Sequence, residues 1–480
     1  MQKMLRSPLV NIFDMARLFV FGIGGTGSRV LRALTMLLAG GADTNGYDIV
    51  PIIIDPDQAN GNLTQNISLL DEYVAIRKYL SFTAGNKNRF FNTAIDDILT
   101  NFTMPVENTS NLKFKEFINV SGMSDKANKA MAKMLFSDDN LNADMNVGFK
   151  GNPNIGSVVL NQISTSNDFL SFAQAFQPQD KIFIISSIFG GTGASGFPLL
   201  LKTMRTDTTL PNHDAINNAE IGAITVLPYF KLTRDGASSI DSATFISKSK
   251  SALAYYERNI ANSKQINALY FIGDDNGNTY NNIEGGNQQT NMAHAIELLA
   301  ATAILDFSQK SFQTRGNYLE LGVESSGGAL TINSFHNGLK QLVRRPLAQL
   351  AFTALGLEHD NAFLVSKQLK KNTDLGLDEK FYSDLFFQKL TQFLKNYKEW
   401  LNEMKDNKVA LNLFNMESAS EPFNFVTDVK AKSSFFSSNN WNTYRTALNN
   451  AKVSSSKKED QLLEMYFVAT EKLCKDKFNL

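Results

Sequence analysis

Two glycine-rich turns carry the residues of this chain that are best suited to chemistry. The first is Phe21-Gly22-Ile23-Gly24-Gly25-Thr26-Gly27-Ser28, and the second is Phe189-Gly190-Gly191-Thr192-Gly193-Ala194-Ser195-Gly196. Each follows an apolar run that reads as a strand and opens a helical pattern. Glycine lets the main chain approach an anion closely, and a helix N-terminus favours negative charge. One such turn is a weak signal. Two in one chain point to backbone amides gathered around a single polyphosphate. The first turn then offers Gly22, Gly24, Gly25, Thr26 and Gly27, and the second Gly190, Gly191, Thr192, Gly193, Ala194 and Ser195. Ser186 and Ser187 add hydroxyls, and the N–H groups from Gly190 to Ser195 suit a concave anion nest. A ligand-free strand-to-helix connection is the plain alternative, but so many glycines in one turn are costly to order.

The first turn alone matches G-x-G-x-x-G, whose commoner use is a dinucleotide site. Asp55 and Asp57, after the second apolar run, fit that use too, because an acid there takes a ribose hydroxyl. A dinucleotide fingerprint leaves the second turn unexplained.

Composition sets the bounds. The chain has 480 residues, 43% of them hydrophobic and 20% charged, which suits a large globular core. Lys and Arg number 47, as do Asp and Glu, so the formal net charge is zero. No overall field draws the chain to nucleic acid or to an anionic surface. The single cysteine, Cys474, excludes an internal disulfide and a cysteine-based zinc site and fits a reducing compartment. Neither a signal-peptide layout nor a bilayer-length apolar run is visible, so the expected location is the cytoplasm and no membrane segment is expected.

The elements that must hold the turns follow from periodicity. Buried strands are expected at 18–21, 49–54, 181–188, 221–227 and 266–272, with helices after the first and third and at 242–260. Alternation of strand and helix implies a parallel sheet covered on both faces. A helix over 290–307 is apolar almost all round, which marks burial between layers. Residues 62–147 read as an insert, mostly helical around 69–80, 94–102 and 124–136. Residues 318–335 alternate like a strand. Phe386, Phe387, Leu390, Phe393, Leu394, Tyr397, Leu401 and Met404 form a helical stripe. The expected fold class is α/β: a Rossmann-like parallel-sheet domain over 1–310 with a long central helix, then a smaller C-terminal region over 311–480, mixed and then mainly helical.

The order of these pieces resembles the tubulin/FtsZ superfamily over roughly residues 16 to 310. Phe189 to Pro198 resembles that family's phosphate-gripping GGGTG signature, with Phe189 in place of its first glycine. Asp55-Pro56-Asp57-Gln58 resembles the segment after strand two, and Gly148 to Gly156 resembles the loop over the γ-phosphate. Leu227-Pro228-Tyr229-Phe230 resembles the loop near the ribose, and Ile272-Gly273-Asp274-Asp275 the base-side loop. The resemblance implies GTP or GDP with Mg²⁺, held in addition by Gly151 and Asn152. Asp55, Asp57 and Pro228 would lie toward the ribose, and Asp274, Asn291 and His294 toward the base. Lys150 is a further cation near the γ-phosphate. It also implies assembly with copies of itself into filaments or oligomers, with any adaptor protein unspecified.

One departure stands out. Family members carry an acid after the central helix that completes the next subunit's site. Here no such N-x-D follows, and Glu320 and Glu324 are the only acids nearby. Slow GTP turnover, or none, is the expectation. Three other readings stay open: a ThiF/E1-like adenylating enzyme, suggested by Gly22 to Ser28 with Asp55-Pro56-Asp57 and Asn62-Leu63; an NAD-dependent oxidoreductase; and a non-hydrolysing nucleotide-binding scaffold.

Overall fold

The computed structural model describes residues 15–109, 111–145, 148–149, 151–232, 242–274, 278–280, 286, 289–323, 328–335, 337–359, 369–417, 421–433 and 439–480. The strands are β1 (Arg17–Ile23), β2 (Asp48–Ile54), β3 (Lys181–Ser187), β4 (Ile221–Val226), β5 (Lys231–Leu232), β6 (Ala268–Ile272), β7 (Thr279–Tyr280) and β8 (Asn317–Glu320). Numbering only the longer helices, they are α1 (Gly24–Ala39), α2 (Gly61–Arg77), α3 (Lys126–Leu135), α4 (Pro153–Leu160), α5 (Asn167–Ala175), α6 (Gly191–Thr206), α7 (Ser242–Tyr256), α8 (Ala295–Gln309), α9 (Asn337–His359), α10 (Leu385–Asp406), α11 (Trp441–Asn449) and α12 (Lys458–Leu473).

Six strands form one sheet in the order β2-β1-β3-β4-β6-β8, every pair parallel. The core strands are near-continuous apolar runs because both faces are covered, as a parallel sheet requires. β5 and β7 form a separate two-residue pair. From β1 the chain runs through α1 to β2 on one side, and from β3 through α6 to β4 on the other. Right-handed crossovers therefore place α1 and α6 on opposite faces. The strand order reverses between β1 and β3, which is the position where open α/β sheets leave a crevice at their carboxyl ends.

The 290–307 expectation is corrected at its start: the helix begins at Ala295, and His294 is its N-cap. α8 packs on β4 and β6 and against α1 and α9, so its all-round apolarity is matched by burial on all sides. The expected helix over 94–102 is absent. There the chain runs beside the open edge of β2, bridging Ile95 to Ile49 and Thr103 to Ile53, and so covers an edge that would otherwise be exposed. The strand-like segment 318–335 shrinks to β8 and a bridge at Leu330. β8 lies beyond residue 310, so the sheet takes its last strand from the C-terminal part of the chain.

The stripe over 386–404 is α10, with every one of its eight residues buried. Phe393 packs its ring 5.2 Å from Phe91 and 6.5 Å from Tyr73 of α2. Arg32 of α1 holds Glu403 of α10 with two contacts of 2.7 and 3.0 Å. The helical C-terminal region is thus packed directly onto the helices that follow β1 and β2.

Candidate functional site

Gly22 of β1 lies opposite Ile185 of β3, so the two glycine turns leave neighbouring strand ends side by side. A Cβ placed on Gly24 would lie 3.4 Å from the Thr192 Cβ and 3.8 Å from the Gly193 nitrogen. Gly24 has φ +69°, a conformation that favours glycine. Inside the first turn, a Cβ on Gly27 would lie 2.4 Å from the Gly22 carbonyl carbon, so the strand and helix pass backbone to backbone.

Both helices that open from these turns begin without a side-chain cap and without an acid in the first turn. Most of the other long helices are capped by a side chain: Asn60 caps α2, Asp125 α3, Asn152 α4, Ser166 α5, Asp384 α10 and Asn440 α11, while α12 lacks a cap but opens with Glu459 and Asp460. The first N–H groups of α1 and α6 lack intrahelical partners. Together they present positive helix ends at one point of the sheet edge, an arrangement that suits an anion.

The loop before α4 closes this point. Cβ atoms on Gly191 would lie 2.9 Å from the Asn152 nitrogen and 3.2 Å from the Gly151 nitrogen. Gly151 has φ +68°. Lys248, on α7, donates its ammonium to the Gly151 carbonyl, and burial lowers its pKa. Lys150 lies outside the described residues. Lys248 went unnoticed in the sequence because it is one lysine in a Ser-Lys-rich helix, with nothing local to mark it. The Asn152 side chain accepts from the Asn154 N–H at 3.2 Å and donates to Asn140 at 2.6 Å, so its cap role is structural. The Ser195 hydroxyl donates to the Gly191 carbonyl at 2.7 Å.

The acids after β2 are both buried. Burial pushes the Asp55 carboxyl up to about 7, although the Asp57 N–H donates to it at 3.0 Å. Asp57 accepts the Gly286 N–H at 2.7 Å. Asn62 and Asn291 clasp each other, the Asn62 amide donating to Asn291 at 3.0 Å and the Asn291 N–H donating back at 2.8 Å. Asn291 therefore fastens the segment before α8 onto the start of α2.

At the N-terminus of α8 is a buried cluster that the sequence reading did not assemble. Arg29 donates to Glu297 at 2.5 Å and to the Tyr229 hydroxyl at 2.6 Å. The Tyr229 hydroxyl donates to Glu297 at 3.2 Å, and the other Glu297 oxygen accepts the His294 N–H at 3.1 Å. Burial opposes the Arg29 charge, but Tyr229 and Glu297 outweigh it and raise its pKa. The His294 Nδ1 accepts from the Ile296 N–H at 3.1 Å, and burial lowers its pKa. Its Nε2 is buried with no hydrogen-bond partner among the described residues. A capping acid at Glu297, three residues after His294, was the available signal. Phe189 packs 5.5 Å from Phe230 and 6.1 Å from Tyr229, beside Pro228. The aromatic residue in place of a glycine thus ties the second turn to the 227–230 loop.

Asp274 lies close enough to His294 to raise its pKa against the effect of burial, while Glu320 is placed elsewhere. Both line a cleft of about 1030 Å³ between the ends of β4, β6 and β8, the start of α8 and residues 408–410. Strands lie about 4.8 Å apart, so β8, three positions from β3, is roughly 14 Å away along the sheet. Glu324 lies outside the described residues. Among the described residues no cluster of three His, Cys, Asp or Glu side chains is arranged to hold a metal ion.

Solved structures provide the only matches. No family model and no curated protein matches the chain. CetZ from Methanosaeta thermophila matches at 15% identity and TM-score 0.28, over 54% of this chain and 46% of that one. CetZ2 from Haloferax volcanii, a GTPγS-bound protofilament, matches at 12% and 0.30, over 61% and 58%. An empty FtsZ dimer of M. jannaschii matches at 16% and 0.25, over 54% and 45%. The chain is similar to tubulin/FtsZ-superfamily structures. It spans about half the length of those it matches.

Proposed function

We propose that this chain binds a nucleoside triphosphate, GTP, where its two glycine turns meet, and that it associates with copies of itself. The observation that carries the reading is the convergence of two uncapped helix N-termini at the point where the strand order reverses. Backbone amides of α1 and α6 take the phosphates. Lys248, already beside the 148–152 loop, turns its ammonium toward the terminal phosphate. Mg²⁺, in this reading, is carried by the phosphate oxygens and water and neutralises the β- and γ-phosphates.

The Arg29–Glu297 pair bears on the base. Both Glu297 oxygens are engaged within the protein, so guanine selectivity falls to backbone groups and to Asn291, whose clasp with Asn62 would open to admit the base edge. Titration of labelled GTP, GDP and ATP tests the reading. GTP is expected to bind tightest. Lys248→Gln is expected to weaken GTP about tenfold or more while leaving GDP within about threefold, since a charge-assisted contact to the third phosphate is lost. ATP binding as tight as GTP, with pyrophosphate exchange, would turn the reading to an adenylating enzyme.

A further inference from the structure

The buried cluster at the start of α8 holds more donors than acceptors. Arg29 gives Nε to Glu297 and Nη2 to the Tyr229 hydroxyl. Its third nitrogen, Nη1, makes no hydrogen bond among the described residues. That nitrogen lies 3.9 Å from where a Cβ on Gly25 would stand. A helical side chain leans back toward the N-terminus, so the guanidinium reaches the first turn of α1. The Arg29 side chain is 11% exposed, so it is not sealed off.

His294 supplies a second open donor. Its Nδ1 accepts the Ile296 N–H and burial lowers its pKa, so the ring is neutral and carries its proton on Nε2. Nε2 is buried and has no partner among the described residues. A buried donor left so is unfavourable until a ligand answers it. Both donors belong to one patch. The His294 ring stands 4.8 Å from the ring of Tyr229, whose hydroxyl holds Arg29. The acids of the patch are engaged: one Glu297 oxygen takes Arg29 and Tyr229, and the other takes the His294 N–H. Asp274, the other acid acting on the His294 charge, has a partner of its own.

Open donors suit the purine edge that carries only acceptors. Guanine presents O6 and N7 there, whereas adenine places the N6 amino donor where guanine has O6. We propose that Arg29 Nη1 and His294 Nε2 read the O6/N7 edge of the bound base, so the site selects 6-oxopurine nucleotides as a class. The inference rests on the GTP reading and names what the base meets. It sets inosine triphosphate, which keeps O6 and N7 but lacks the exocyclic amino group of guanine, beside GTP as a ligand. ATP is rejected because its amino group would face two donors.

The test is competition by GTP, ITP and ATP against labelled GTP on the full chain and two variants. His294→Asn keeps a capping oxygen for α8 and removes the distal donor. Arg29→Gln combined with Glu297→Gln removes both charges, so that neither is left buried alone. In wild type, ITP is expected within about threefold of GTP, with ATP weaker by about a hundredfold or more. In each variant GTP and ITP are expected to weaken about tenfold or more, with ATP changed by less than about threefold. Thermal melts accompany the titrations, and if the paired variant melts early, His294→Asn decides alone. The proposal is overturned if either folded variant binds GTP as wild type does, or if all three nucleotides weaken together, which is the mark of a purely structural role. ITP binding weaker than GTP by about tenfold or more in wild type would also overturn it, because the exocyclic amino group is then being read, and would leave the GTP reading intact. No binding of labelled GTP by wild type would remove that reading as well.

Discussion

Asp55 shows how one buried carboxyl ties stability to pH at the edge of the site. Its pKa is about 7 in the folded chain and near 3.8 when exposed, with burial as the main cause. Between those values the folded state binds the extra proton. Stability from this group is therefore full below about pH 4 and is lost as pH rises toward 7 and above. Asp55→Asn keeps an acceptor for the Asp57 N–H and removes the titration. The variant is expected to gain on the order of 2–4 kcal/mol over wild type at pH 8, with the gain vanishing by pH 4. Thermal melts of both chains across pH 4–8 check this, and a constant difference would exclude the Asp55 titration. Arg29 and Glu297 were hidden from sequence reading for a related reason. A charge on a buried helix face is visible as a residue, but its partner 268 positions away is set only by the fold.

At the scale of the element, the glycines of the two turns do different jobs. A Cβ on Gly193 would lie 2.7 Å from the Ser187 carbonyl oxygen, and one on Gly191 2.9 Å from the Asn152 nitrogen. Substitution there strains the fold as well as any ligand contact. A Cβ on Gly25 meets only an Arg29 nitrogen, at 3.9 Å. Gly25→Val is therefore expected to leave the melting temperature within a few degrees while lowering GTP affinity at least tenfold. Gly27→Ala, forced against the Gly22 backbone, is expected to cost about 1–3 kcal/mol of stability. Melts and titrations of both variants separate the two roles, and normal GTP binding by Gly25→Val would place the phosphates elsewhere.

The strands were legible because buried parallel strands are short apolar runs, and β1, β2, β3, β4 and β6 fall within two or three residues of expectation. α10 was legible from its stripe. The 94–102 segment was not, because its apolar residues serve an edge contact with β2 instead of a helix face. α8 starts at Ala295, five residues later than the composition of Met292 and Ala293 suggests, because the His294 cap that ends the extended chain is a weak sequence signal. Of the candidate site, the two turns were visible as glycines. The approach of Lys248 to Gly151 was not, since it depends on how α7 packs.

At the scale of the whole molecule, the question is whether one copy completes another's site. Catalysis in trans would make phosphate release per chain climb with protein concentration. Under the proposed function, the resemblance to the tubulin/FtsZ superfamily implies that this takes an acid presented near the end of α8. Asp306 is the acid in the last turn of α8, and it is held by the Tyr270 hydroxyl at 2.8 Å and by Lys310 at 2.7 Å. Residues 310–316 carry no acid at all. Glu320 follows on the edge strand and lines the 1030 Å³ cleft. None of these is an unengaged carboxylate on the loop directly after the helix. Turnover of GTP is therefore expected to be slow and nearly proportional to protein concentration, while light scattering with GTP rises cooperatively. Phosphate release and scattering measured together over a dilution series decide this. If specific activity instead climbs steeply as scattering appears, a neighbour supplies the acid, and Asp306→Asn and Glu320→Gln then separate the two carboxylates. Loss of turnover in the first, with nucleotide affinity kept, would mean that the Tyr270 and Lys310 contacts break on assembly to release Asp306. Loss only in the second would mean that the cleft itself faces the neighbour's phosphates.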